Sequence, residues 1–164
     1  MSKLSQTLVR VAAALSLALP LVAVAATPAA AAEPVTLFNA SHSRDCDYAF
    51  TEGWIAWNTN SPGAAGQVDV IGRLVDLPVV CVPPGPRVGS PFAEFYAYAN
   101  GQLVDSEVIH TTGGYNFSLS NSPSVTLIDQ VDIRVCRDFG PMLPAFTCGD
   151  TQTYRRPPAI GPAQ

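Results

Sequence analysis

The chain has 164 residues, of which 48% are hydrophobic and 13% charged, and its net charge is −4. That length allows one domain, or one with a small second unit, and so few charges exclude a disordered polyelectrolyte. A net negative balance argues against nucleic acid as a partner, because phosphates are met by Lys and Arg.

Residues 1–10 carry Lys3 and Arg10 and no acid, and Val11 to Ala26 is apolar apart from Ser16 and broken by Pro20. A basic segment followed by a short apolar one is the pattern of a secretory signal peptide, and the apolar run is shorter than the ~20 residues a membrane span needs. Small residues at Ala30, Ala31 and Ala32 place cleavage before Glu33, with cleavage after Ala26 as the second choice. Cleavage at 32 leaves 132 residues with a net charge of −6, outside the cell and with no membrane attachment. A chain of that size buries enough surface for one core.

The remainder reads as β-structure. Thirteen Pro and twelve Gly lie between short apolar runs, and no stretch keeps the i, i+3, i+4, i+7 spacing of an amphipathic helix. Val35–Ala40 is a first strand, followed by a polar connection over 41–46. Tyr48–Thr59 holds one or two strands; Trp54 and Trp57 have opposite parity there, so both cannot face the core. Gln67–Leu77 is a long strand with Val68, Val70, Gly72 and Leu74 on one face and Asp69, Ile71, Arg73 and Val75 on the other. Val79–Val82 continues it in a neighbouring strand, before a Pro-rich loop.

Phe92–Ala99 and Gln102–Ile109 flank Asn100-Gly101, which supplies the two positive φ angles of a type I′ hairpin turn. Phe95, Ala97 and Ala99 would line the core, leaving Tyr96 and Tyr98 as an outer aromatic stripe beside Glu94. Such a stripe suits stacking on a sugar or a protein surface. Tyr115–Leu119 alternates, and so does Val131–Cys136, with Val131, Ile133 and Val135 inward. Phe146–Tyr154 is an edge strand, and residues 155–164 hold three Pro and are expected to be disordered. The expected domain is therefore residues 33–154: all-β, a single antiparallel sandwich of seven to nine strands, with a small barrel as the alternative.

Four cysteines in an exported chain point to two disulfides. Cys136 lies opposite in parity to the core-facing residues of its strand, which favours a surface partner over a bridge across the core. Cys148 follows a Gly- and Pro-containing loop that folds back, so Cys136–Cys148 and Cys46–Cys81 are the expected pairs. Metal-binding spacing is absent, and no metal or cofactor is expected.

Two resemblances appear. Gly72-Arg73-Leu74-Val75-Asp76 and Thr112-Gly113-Gly114-Tyr115-Asn116-Phe117 resemble the G-x-V-x-D and T-x-x-G-x-Y-x-F rhythm of transthyretin-like and carboxypeptidase-regulatory-like domains, over about residues 68–119. That resemblance implies a non-catalytic module, immunoglobulin-like or transthyretin-like in fold. The Trp54/Trp57 strand, Val70–Asp76, and Val135-Cys136-Arg137 with Cys148 resemble small secreted actinobacterial β-sandwich proteins of unassigned function, a likeness that brings no activity with it.

No G-x-S-x-G elbow or H-E-x-x-H helix is present. His42, in a polar loop, and His110, at a strand end, are the two imidazoles; each is expected to be non-catalytic, with a hydrolase using His42 as the remote alternative. The expected function is a binding or structural module with an extracellular protein or glycan as partner. A protease inhibitor is the alternative, built on Arg137–Thr147, where Met142 and Leu143 sit between Pro141 and Pro144 near the tip. The same segment could instead fold back as a cap on the sandwich.

Overall fold

The computed structural model describes residues 33–44, 47–58, 66–78, 89–121, 126–140 and 146–158. All of them belong to the unit Ala32–Gln164. Among the described residues there are nine strands and no α-helix: β1 (Val35–Arg44), β2 (Asp47–Trp57), β3 (Gln67–Pro78), β4 (Ser90–Ala99), β5 (Gln102–Ile109), β6 (Gly113–Ser120), β7 (Gln130–Asp138), β8 (Phe146–Cys148) and β9 (Gln152–Arg155). They form two antiparallel sheets. The first has the order β1-β2-β3-β6. The second has the order β5-β4-β7, with β8 and β9 both pairing the far edge of β7.

Period-two alternation decides which residues meet between the sheets. From the first sheet come Phe38, Ala40, Ile55, Trp57, Val68, Val70, Leu74 and Leu119; from the second come Ala93, Phe95, Ala97, Val131, Ile133 and Val135, all buried. Phe95 is the hub, with Phe38, Tyr115 and Phe117 edge-on around it at centroid distances of 6.0, 5.6 and 5.0 Å. Trp57 faces inward and Trp54 outward, as their parity requires; the Trp57 indole N–H donates to Thr36 Oγ1 at 2.8 Å. At the β4–β5 turn Asn100 and Gly101 both have positive φ, 52° and 76°. That is the pattern a type I′ turn needs, and Asn and Gly tolerate it best.

Three expectations change. The connection over 41–46 is largely strand: β1 runs to Arg44, and His42 is buried rather than solvated. The single edge strand Phe146–Tyr154 is two short strands. β8 pairs the end of β7, and β9 pairs its beginning. Between them Gly149 lies so close to β1 that a Cβ there would collide with the Ser41 carbonyl oxygen. Finally, β9 includes Arg155, and the Arg156 N–H donates to the Asp129 carbonyl at 2.9 Å, so pairing passes residue 154. Residues 159–164 lie outside the described residues, as does the strand expected over Val79–Val82.

Cys136 and Cys148 face each other directly in the β7–β8 register and are joined by a disulfide. Cys136 has the expected outward parity, yet it is fully buried. Cys46 and Cys81 lie outside the described residues. The register that opposes Asp47 to Pro78 brings the strand ends next to them together.

Two charged residues point inward at the end of the sandwich. Arg137 continues the inward parity of Val131, Ile133 and Val135, and Asp76 continues that of Leu74. The Arg137 guanidinium is 1% exposed; it donates to Asp76 Oδ1 at 2.6 Å and to the Gly89 carbonyl at 3.1 Å. An ion pair here is the way this core keeps two charges near its end without leaving either alone.

Candidate functional site

An antiparallel sheet with one solvated face normally alternates apolar-in with polar-out. The first sheet breaks that rule on its outer face. The registers Leu37↔Trp54 and Trp54↔Ile71 place three large apolar side chains in one row across β1, β2 and β3. Leu37 is 78% exposed and Trp54 43%. Val35 lies one row away on the same edge strand and is exposed too. A single exposed apolar residue is ordinary, but a contiguous row marks a contact surface.

The next row on the same face is polar: Asn39, Glu52 and Arg73. Arg73 Nε donates to Glu52 Oε1 at 2.8 Å, and Nη2 reaches the same oxygen. Glu52 Oε2 and Arg73 Nη1 have no hydrogen-bond partner among the described residues. Asn39 is fixed through its backbone, its N–H donating to the Tyr154 hydroxyl at 2.8 Å and its carbonyl accepting from that hydroxyl at 2.6 Å.

Between the two rows the surface sinks into a groove of about 490 Å³. Its floor is the backbone of β2 and β3 at Gly53 and Gly72, which are directly opposed there. A Cβ on Gly72 would lie 2.5 Å from the Glu52 carbonyl oxygen and 2.7 Å from the Tyr115 hydroxyl. A Cβ on Gly53 would collide with the Ile71 carbonyl. The two glycines lie in the inward-facing row of Phe38 and Tyr115, where they permit a close approach that larger residues would push apart.

The residues singled out in the sequence fall elsewhere. Tyr96 and Tyr98 do share the outer face of the second sheet, half-buried. The Arg134 guanidinium lies over the Tyr96 ring, 5.4 Å from its centroid, and donates to the Tyr96 hydroxyl at 3.1 Å while also pairing with Glu94. Burial, with Glu94 beside it, holds the Tyr96 hydroxyl above the usual tyrosine range. That ring face is therefore occupied by the protein's own cation. Met142 and Leu143 lie outside the described residues. Phe146, at the base of their loop, meets Phe92 edge-on at 6.0 Å.

The two imidazoles differ in setting. His42 Nε2 is 3.0 Å from Thr147 Oγ1 inside the sandwich. His110 stacks on Phe92 at 5.5 Å, the contact that a strand-end position alone did not predict. It also borders a polar recess of about 470 Å³ with Ser90, Thr111, Thr112 and Asp76, but the Asp76 carboxylate is engaged by Arg137. Among the described residues no helix is long and apolar enough to cross a membrane.

Sequence reasoning had separated Trp54 from Trp57 and had placed Ile71 with Arg73. It could not join them to Leu37, Asn39 and Glu52, because that row exists only once three strands are in register. Compared with protein-family models, with curated proteins and with solved structures, the chain finds no match in any of the three.

Proposed function

We propose that the chain is a secreted, non-catalytic β-sandwich that works by binding outside the cell, through the outer face of its first sheet. The observation that carries this reading is the apolar row of exposed Leu37 and Trp54 with half-buried Ile71, beside a groove with a polar rim. Secretion is supported by the basic-then-apolar leader over 1–32 and by the Cys136–Cys148 disulfide, a bond that persists in oxidising compartments. Non-catalytic use is supported by His42, which is buried against Thr147, and by His110, whose ring is stacked on Phe92. The experiment is retention of purified 33–164 on the envelope fraction of the producing cells, compared with Leu37→Ser/Trp54→Ala. Retention of the parent and release of the variant, at equal melting temperature, is the expected result. A hydrolase activity lost on His42→Ala in a folded protein would overturn it.

A second reading is favoured by one feature. The Cys136–Cys148 bridge closes residues 137–147 into a loop, which lowers the entropy such a segment loses on binding a protease cleft. A protease panel separates the two readings: inhibition abolished by Met142→Glu or Leu143→Glu with unchanged stability would favour the inhibitor. Loss of stability in both variants would make the segment a cap.

A further inference from the structure

We infer that the Trp54 groove is a site for a neutral polysaccharide, with one pyranose ring lying on the Trp54 indole and its hydroxyls on Glu52, Arg73 and Asn39. The inference rests on the binding reading above and names the class of ligand.

Toward the groove the apolar part of the site ends after one row, and on the other side it runs on to Val35. Rows on one face of a strand are about 7 Å apart, so a ring stacked on Trp54 reaches the Asn39–Glu52–Arg73 row with its edge. A pyranose has that division of chemistry: C–H groups over its faces and hydroxyls around its rim. The C–H groups carry slight positive charge and meet the negative face of the indole. The indole is open to solvent, while Leu37 and Ile71 extend the apolar surface to either side.

The rim is matched as well. Each hydroxyl both donates and accepts, so neighbouring hydroxyls are best met by an acceptor and a donor placed together. Glu52 and Arg73 are such a pair, with Oε2 and Nη1 left over, and the bond between Glu52 Oε1 and Arg73 Nε holds both groups in position before any ligand arrives. Hydrogen bonds to ionised groups are the strong ones. The pair is also neutral as a unit, and the mature chain is negative, which selects an uncharged ligand over an acidic one. A protein partner would need about 800 Å² per side. Here the apolar row is bounded at once by the Glu52–Arg73 pair and, one row the other way on β3, by Asp69, so that only Val35 and Ala56 extend it.

The chain has two tryptophans, one exposed and one fully buried, so its emission reports on Trp54. Purified 33–164 is titrated with cellohexaose, chitohexaose and mannohexaose, and with hexagalacturonate as the acidic control, by fluorescence and calorimetry. The expected result is a blue shift with at least one neutral hexasaccharide at micromolar to millimolar concentration, and at least tenfold weaker binding in Trp54→Ala and in Arg73→Ala at unchanged melting temperature. Trp54→Phe should keep calorimetric binding while losing the shift. Binding that is indifferent to Trp54→Ala, or tighter binding of hexagalacturonate, would overturn the inference. Envelope retention that depends on Trp54, with no hexasaccharide bound, would overturn the glycan and leave the binding module standing. Failure of both assays would remove both.

Discussion

Two ion pairs leave the same strand, β3, and differ mainly in burial. Arg73–Glu52 lies on the surface, with side chains 62% and 38% exposed, whereas Arg137 is 1% exposed and Asp76 22%. An exposed pair contributes about 0–1 kcal/mol, because water and entropy offset the attraction. Asp76→Ala, in contrast, strands a guanidinium that cannot reach water. One carbonyl bond to Gly89 remains, and Arg137 Nε is already buried with no acceptor among the described residues. Removing one partner of a buried pair costs about 3–5 kcal/mol. With a urea slope of about 1.5 kcal/mol/M, the midpoint should fall by about 2 M or more for Asp76→Ala and by less than about 0.7 M for Glu52→Ala. The effect should also be asymmetric. Arg137→Met keeps the packed stem and leaves a carboxylate that is partly exposed and can rehydrate, so it should cost less than Asp76→Ala. Equal midpoints for Asp76→Ala and Glu52→Ala, or a costlier Arg137→Met, would refute the burial argument.

Ile133→Asp should unfold the domain, because it puts an unpaired carboxylate at a fully buried position, whereas its neighbour Asp132→Ala should change stability by less than ~1 kcal/mol; circular dichroism melts compare them. Cys148→Ser should cost about 3 kcal/mol by opening a twelve-residue loop, and non-reducing peptide mapping should link Cys136 to Cys148 and Cys46 to Cys81. Burial pushes the Tyr115 hydroxyl well above its ordinary value of 10.0, against the opposing bond to Thr51. The unfolded chain then loses that proton first, so this contribution is complete below pH 10 and declines as pH rises above it. Urea midpoints at pH 8 and pH 11 should differ more in the parent than in Tyr115→Phe.

What was legible in the sequence was local. Val131, Ile133 and Val135 declare their face by alternation alone, and Asn100-Gly101 declares its turn by tolerance of positive φ. The outward parity of Cys136 was enough to prefer an in-sheet partner, although not to show that β8 would bury it. His42 was not legible: Ser41-His42-Ser43-Arg44 is polar throughout, and the inward slot for the imidazole is created by Thr147, 105 residues away. Phe146–Tyr154 reads as one strand because nothing in it shows that β7 offers two separate lengths of edge. The stripe expected at Tyr96 and Tyr98 has the right face, but the Tyr96 ring is taken by Arg134, whose approach depends on the β4–β7 register. The Trp54 row has the same origin, three strands in register, and no window of sequence contains it.

The Tyr154 hydroxyl serves both backbone groups of Asn39, 115 residues earlier in the chain, and Gly149 closes against the carbonyl of Ser41 nearby. These contacts seal the edge of β1, the most N-terminal of the described strands, with the most C-terminal segments described. During vectorial synthesis the nascent sheet therefore carries an open, apolar border for nearly the whole passage of the chain. Such a border is a template for pairing with neighbouring chains. A stop codon shortly before Tyr154 would remove few core side chains, yet it would leave that border permanently unsealed. Its product should be recovered as aggregate rather than as a loosened monomer. The C-terminal strand is, in this sense, a built-in chaperone for the N-terminal one.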